Sequence, residues 1–175
     1  NYEIRMVKLK MKEMFVRKIM FAFADKISGF NIIPRIKQLV DSEKLNKVDR
    51  EQLQIQKLKK LLIHAQNTVP YYRDLLKRLN ICSEKIDSLE ILQDLPILNN
   101  TQIKQDSQRY LSNYFVDKQL FWGQTGGSTG HPLSYALDPN CRIQVRAAFY
   151  RAMTWTGWDP GDKIVSFWGR PIIKN

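Results

Sequence analysis

Three glycines and three hydroxyl side chains fall within eight residues at Thr125, Gly126, Gly127, Ser128, Thr129, Gly130, His131 and Pro132. That composition suits a phosphate. Glycine tolerates positive φ and lets the backbone approach an anion, while clustered amides and the hydroxyls of Thr125, Ser128 and Thr129 offer several donors to one group. The same composition also writes an ordinary hairpin loop, because the run joins two stretches that read as strands. Two familiar nucleotide loops do not fit. G-x-x-x-x-G-K-[ST] needs a lysine after its last glycine and a helix opening there, whereas His131 takes the lysine's place and an extended segment follows. A dinucleotide G-x-G-x-x-G fingerprint fails on glycine spacing and because no helix opens at the loop.

Elsewhere the residue types that perform chemistry are sparse. Cys82 and Cys141 are far apart, form no C-x-x-C and sit in a sequence without secretory features, so they read as reduced structural thiols. His64 and His131 are the two histidines, and with no spaced carboxylate set they make no metal site. Ser128 lacks the nucleophile elbow of a hydrolase. Arg146 and Arg151 follow the loop on the next helix and are candidates to support a phosphate; the simpler reading is solvated or structural arginines. Tyr71 and Tyr72 read as core or rim aromatics before substrate contacts.

The elements around these residues follow from periodicity and caps. Asp49 with Gln52 reads as an N-cap with a reciprocal partner, and Leu53, Leu58, Leu61, Leu62 and Ala65 form an apolar stripe at helical spacing. Pro70 ends that helix and suits the first turn of the next, where Tyr71, Leu75, Leu76 and Leu79 share a face. Asn99 with Gln102 repeats the capping pattern for a short helix ending near Leu111. Residues 119–123 and 132–137 read as the strands flanking the loop. Asp138 and Pro139 then read as N-cap and first residue of a helix to about Trp155, stopped by Gly157. Asp159, Pro160, Gly161 and Asp162 turn the chain into a further strand over 163–168. The order strand, loop, strand, helix, strand predicts an α/β fold whose sheet is incomplete, with an apolar sheet face left exposed.

Thr-Gly-Gly-Ser-Thr-Gly-His-Pro resembles the phosphate-loop signature of the adenylate-forming, AMP-dependent ligase superfamily, whose usual form is Thr-Ser-Gly-Ser/Thr-Thr-Gly-x-Pro. Four further segments narrow the likeness to the phenylacetate-CoA ligase-like branch, which includes proteins of capsular polysaccharide loci. They are Leu58, Lys59, Lys60, Leu61 and Leu62 with Ala65; Val69, Pro70, Tyr71, Tyr72 and Arg73; Leu95, Pro96, Ile97 and Leu98; and Trp155, Thr156, Gly157 and Trp158 with Gly161 and Asp162. The likeness runs from about Leu45 to the end of the chain.

The resemblance implies an ATP-dependent activation of a carboxylate as acyl-AMP with release of pyrophosphate, followed by thioester formation with CoA, in surface polysaccharide biosynthesis. It places Thr125, Gly126, Gly127, Ser128, Thr129 and Gly130 on the β and γ phosphates of ATP, with Mg2+ arriving on the nucleotide rather than in a protein cage. Gly126 stands where many relatives have serine, and His131 where much of the superfamily has lysine, which makes a positive contact there pH-dependent. The family's adenine-binding segment, ribose-binding acid and C-terminal catalytic lysine have no counterpart here. The chain therefore reads as the start of such an enzyme's N-terminal domain, a fragment with no catalytic residue of its own and no adenylation alone.

Charge divides the 175-residue chain unevenly. Residues 1–80 carry 18 Lys and Arg against 8 Asp and Glu, the remainder 10 against 9, so nearly all of the net +11 is N-terminal. Nucleic acid is disfavoured as the partner, because the basic half has no interleaved stacking aromatics and no groove-reading motif. Residues 1–40 read instead as a basic amphipathic helical region, set before a partial ligase domain over 41–175, with helices to about 112 and the loop, its strands and a helix over 119–175. Its longest apolar run, residues 19–24, is far short of a bilayer span, and Asp25 and Lys26 follow it where a signal peptide needs small residues. A cytoplasmic protein that lies on an anionic membrane surface, or packs this helix on a partner, fits the pattern.

Overall fold

The computed structural model describes residues 2–115, 119–126 and 132–165. Helices dominate, joined by one small antiparallel sheet, so the chain is a mixed α/β protein of mainly helical content. It divides into two compact units, one made of residues 1–40 and 143–175, the other of residues 41–142.

The first unit contains α1 (Tyr2–Ser28) and the larger parts of α2 (Ile32–Glu43) and α6 (Pro139–Thr154). Ile32, Ile36 and Ala147 are its buried centre, with Leu39, Val40, Ile143 and Tyr150 packed around them. Tyr150 stacks on Trp158 at 5.1 Å and takes Phe21 edge-on at 6.3 Å. Gly29 and Asn31 turn the chain between α1 and α2 with φ of 68° and 53°, the left-handed region that glycine and asparagine tolerate best. Beyond α6 the expected stop is present. Gly157 has φ of 82°, and the Asp162 amide donates to the Asp159 carbonyl at 2.9 Å.

Two expectations change here. Over its whole length α1 does not gather its apolar residues on one face; they alternate with lysines in a way that places them all round its first half. Residues 163–165 are not a strand, since no neighbouring strand pairs with them among the described residues, and the rest of the expected strand, 166–168, lies outside those described.

The second unit is built on α3 (Lys47–Thr68) and α4 (Pro70–Arg78). The cap of α3 is Asn46 rather than Asp49: the Asn46 side-chain oxygen accepts from the Asp49 amide at 2.9 Å, and its nitrogen donates to the Asp49 carboxylate at 2.8 Å. Asparagine at that place satisfies the orphan amide as well as aspartate does, and Asp49 moves to the first turn, where its charge suits the helix dipole. Leu62 and Ala65 are buried, but Leu61 is 62% exposed and belongs to the solvent side. Val69 closes α3 and Pro70 opens α4, whose Leu75 and Leu76 are buried while Leu79 reaches the surface. Ser83 is fully buried in the short 3-10 turn that follows, bonded to Gln66 of α3.

The helix expected to reach Leu111 is split into α5 (Asn100–Gln105) and a 3-10 turn, Ser107–Tyr110. Its capping box is complete, with Asn99 accepting from the Gln102 amide and the Gln102 side chain accepting from the Asn99 amide. Beyond the break at Asp106, Arg109 reaches Asp74 at 2.8 Å and Tyr110 lies against Tyr71 at 4.5 Å, both contacts with α4. Tyr71 and Tyr72 are thus part of an aromatic packing cluster, and burial, followed by the neighbouring Tyr71 and Tyr110, raises the Tyr72 hydroxyl pKa.

Candidate functional site

The loop singled out by composition is the turn of a hairpin. β1 (Phe121–Gln124) and β2 (Ser134–Leu137) pair antiparallel in the register Phe121 to Leu137, Trp122 to Ala136, Gly123 to Tyr135 and Gln124 to Ser134. Both strands are shorter than the sequence suggests, since residues 119–120 and 132–133 fall outside the ladder. Alternation puts Phe121, Gly123, Tyr135 and Leu137 on one face. Glycine at 123 lets the Tyr135 ring cross the strand there, 2.7 Å from where a Cβ would stand. The opposite face carries Trp122, which is 62% exposed.

One further pair closes the mouth of the loop. The Thr125 amide donates to the Leu133 carbonyl at 2.9 Å, and the Leu133 amide donates to the Thr125 hydroxyl at 2.9 Å instead of to its carbonyl. Thr125 is therefore a clamp, a role the composition did not disclose. A hydroxyl has one proton and two acceptor lone pairs, so accepting from Leu133 leaves its proton to donate. Gly126 follows with its backbone outside the left-handed region and open space where a side chain would project. Gly127, Ser128, Thr129, Gly130 and His131 lie outside the described residues.

At the far end of β2, Asp138 caps α6, its carboxylate accepting from the Asn140 amide at 2.8 Å and the Cys141 amide at 3.1 Å. Four strand residues at about 3.4 Å each separate that helix start from the loop mouth. The Asn140 and Cys141 amides therefore serve Asp138. Arg142 projects back over the Phe121 ring at 4.2 Å, tying the first turn of α6 to β1. Neither Tyr135 nor Arg142 stood out in the sequence; the offset of four residues from Asp138 to Arg142 was its one visible signal.

The two arginines of α6 weighed as supports, with a solvated or structural role as the simpler reading, are not in the loop's unit. Arg146 and Arg151 belong to the other unit, where the Arg151 guanidinium lies over Trp155 at 4.6 Å. His64 is exposed on α3 and edges against Tyr114 and Phe115. Cys82 is exposed and Cys141 half-buried; burial, then the Asp138 charge, pushes the Cys141 thiol pKa up. Among the described residues no cluster of His, Cys, Asp or Glu has the makings of a metal site, and no helix is long and apolar enough to cross a membrane. A surface groove of 720 Å³, lined by residues from Leu79 to Asp94, contains none of the loop residues.

Compared with protein-family models, with curated proteins and with solved structures, the chain matches none.

Proposed function

We propose that this chain is the ATP-phosphate-binding portion of an adenylate-forming ligase of the phenylacetate-CoA ligase-like kind. The observation that carries the reading is the octapeptide sequence from Thr125 to Pro132, bounded by the hydrogen-bonded Thr125 and Leu133 pair with the Thr125 hydroxyl proton left to donate. Open space at Gly126 favours close approach of a phosphate oxygen to the backbone. The amides of the loop and the hydroxyls of Thr125, Ser128 and Thr129 would hold the β and γ phosphates, with Gly127 and Gly130 giving backbone access. That grip would orient the α phosphorus for in-line attack by a carboxylate and stabilise charge on departing pyrophosphate. Mg2+ would be carried by the phosphates. The carboxylate substrate, CoA as thiol acceptor and a place in surface polysaccharide assembly belong to the same proposal.

Equilibrium binding of ATP with Mg2+ to the purified chain tests it. Binding is expected to be weak, on the order of 1 mM or about 4 kcal/mol, because only the phosphate grip of the site is in this chain. Gly127→Val and Thr129→Val should each weaken it several-fold while AMP, lacking the β and γ phosphates, fails to compete. Equal competition by AMP would exclude a β and γ phosphate site.

A further inference from the structure

From Phe15 onward, α1 segregates its residues in an inverted sense. At a period of 3.6, Phe15, Val16, Ile19, Met20, Phe23 and Ile27 share one side of the helix, and they are 46–70% exposed. The opposite side is the one packed into the unit, and it is largely polar. There Lys18 pairs with Asp159 at 2.8 Å, Phe21 meets Tyr150, and the buried Asp25 carboxylate accepts from the Ile32 and Ile33 amides at 2.7 and 2.9 Å. The turn at Gly161 sits so close that a Cβ there would stand 2.8 Å from the Lys18 Cα. This side of α1 is fixed by hydrogen bonds and backbone contact, so the helix cannot roll to bury its apolar side. Six large apolar side chains on consecutive turns form a contiguous patch, unlike the scattered exposure normal on a monomer.

We propose that this side of α1 docks on an anionic lipid bilayer, the helix lying in the interfacial plane. Charge selects that occupant. Exposed Lys8, Lys12 and Lys26 stand on this same side of the helix, before and at the end of the apolar run, and their long stems can pass the apolar layer to reach lipid headgroups. Residues 1–80 as a whole carry 18 basic against 8 acidic side chains, so a second copy would meet like charge where the bilayer offers opposite charge. No helix among the described residues is long and apolar enough to cross the bilayer, which leaves the surface.

The test is sedimentation of the full chain with vesicles of phosphatidylcholine alone and of phosphatidylcholine mixed with an equal amount of phosphatidylglycerol. The chain should pellet with the anionic vesicles and stay in solution with the neutral ones. Phe23→Asp, at a 65% exposed position that leaves packing intact, should lower partitioning at least about tenfold with an unchanged circular dichroism spectrum. Lys8→Glu, Lys12→Glu and Lys26→Glu together should abolish it. Failure to pellet, or pelleting that Phe23→Asp leaves untouched, overturns the proposal. A dimer that Phe23→Asp dissolves, without vesicle binding, assigns the patch to a second copy and overturns it too.

Discussion

Replacing Asp25 by alanine removes the acceptor for both leading amides of α2. That helix start is fully accounted for: Ile32 and Ile33 donate to the two Asp25 oxygens, Pro34 has no N–H, and the Arg35 amide reaches the Asn31 carbonyl at 3.4 Å. Asp25 is 8% exposed and Ile32 6%, so the freed amides regain little water. A hydrogen bond to a charged group contributes about 1.5–3 kcal/mol, and loss of a side-chain cap about 0.5–2 kcal/mol; the two bonds share one carboxylate and do not add fully, giving about 2–4 kcal/mol for Asp25→Ala. Asp25→Asn keeps one acceptor oxygen and should cost about 1–2 kcal/mol. In urea, with a slope near 2 kcal/mol/M, the alanine midpoint should fall by about 1–2 M and the asparagine midpoint by roughly half that. Urea titration followed by far-ultraviolet circular dichroism reads both. An alanine variant as stable as the parent, or an asparagine variant as damaged as alanine, would refute the capping account of the α1 to α2 turn.

Gly123→Ala must push the Tyr135 ring aside, since its Cβ would lie 2.7 Å from the ring; because Tyr135 is 43% exposed the ring can yield, and a loss of about 1 kcal/mol in thermal stability is expected, restored by Tyr135→Ala in the same chain. Alkylation followed by mass spectrometry should label exposed Cys82 roughly tenfold faster than Cys141, whose thiol pKa burial and Asp138 push up, and Asp138→Asn should narrow that gap. The hydrogen bond to Asp159 holds the Lys18 ammonium above its ordinary pKa of 10.5, so its stabilisation is complete below that value and is lost as pH rises through the higher folded value. The difference in melting temperature between the parent and Asp159→Asn should therefore persist at neutral pH and vanish in strong alkali.

Local chemistry was the legible part of this chain. Pro70, the Asn99 and Gln102 box, Asp138 with Pro139, and Gly157 act on their own backbone neighbours, and each ends or begins an element where its sequence places it. Where two residues could serve, the pattern was ambiguous: Asn46 and Asp49 both suit a cap, and Asn46 takes it. Contacts distant in sequence were not written in any spacing. Arg109 reaches Asp74 across a helix break that periodicity does not show, and Asp25 looks like a surface acid in a basic helix until α2 folds back onto it. The candidate loop was recognisable from glycines and hydroxyls, but the clamp at Thr125 depends on Leu133, a residue with no chemical mark of its own.

Phosphorus nuclear magnetic resonance of ATP with Mg2+, titrated with the full chain, tests the phosphate grip most directly. The account predicts that the β and γ resonances shift and broaden more than the α resonance, and that Gly127→Val and Thr129→Val suppress the change without altering the fold. Unperturbed phosphates at millimolar chain, or shifts that survive both substitutions, would contradict it.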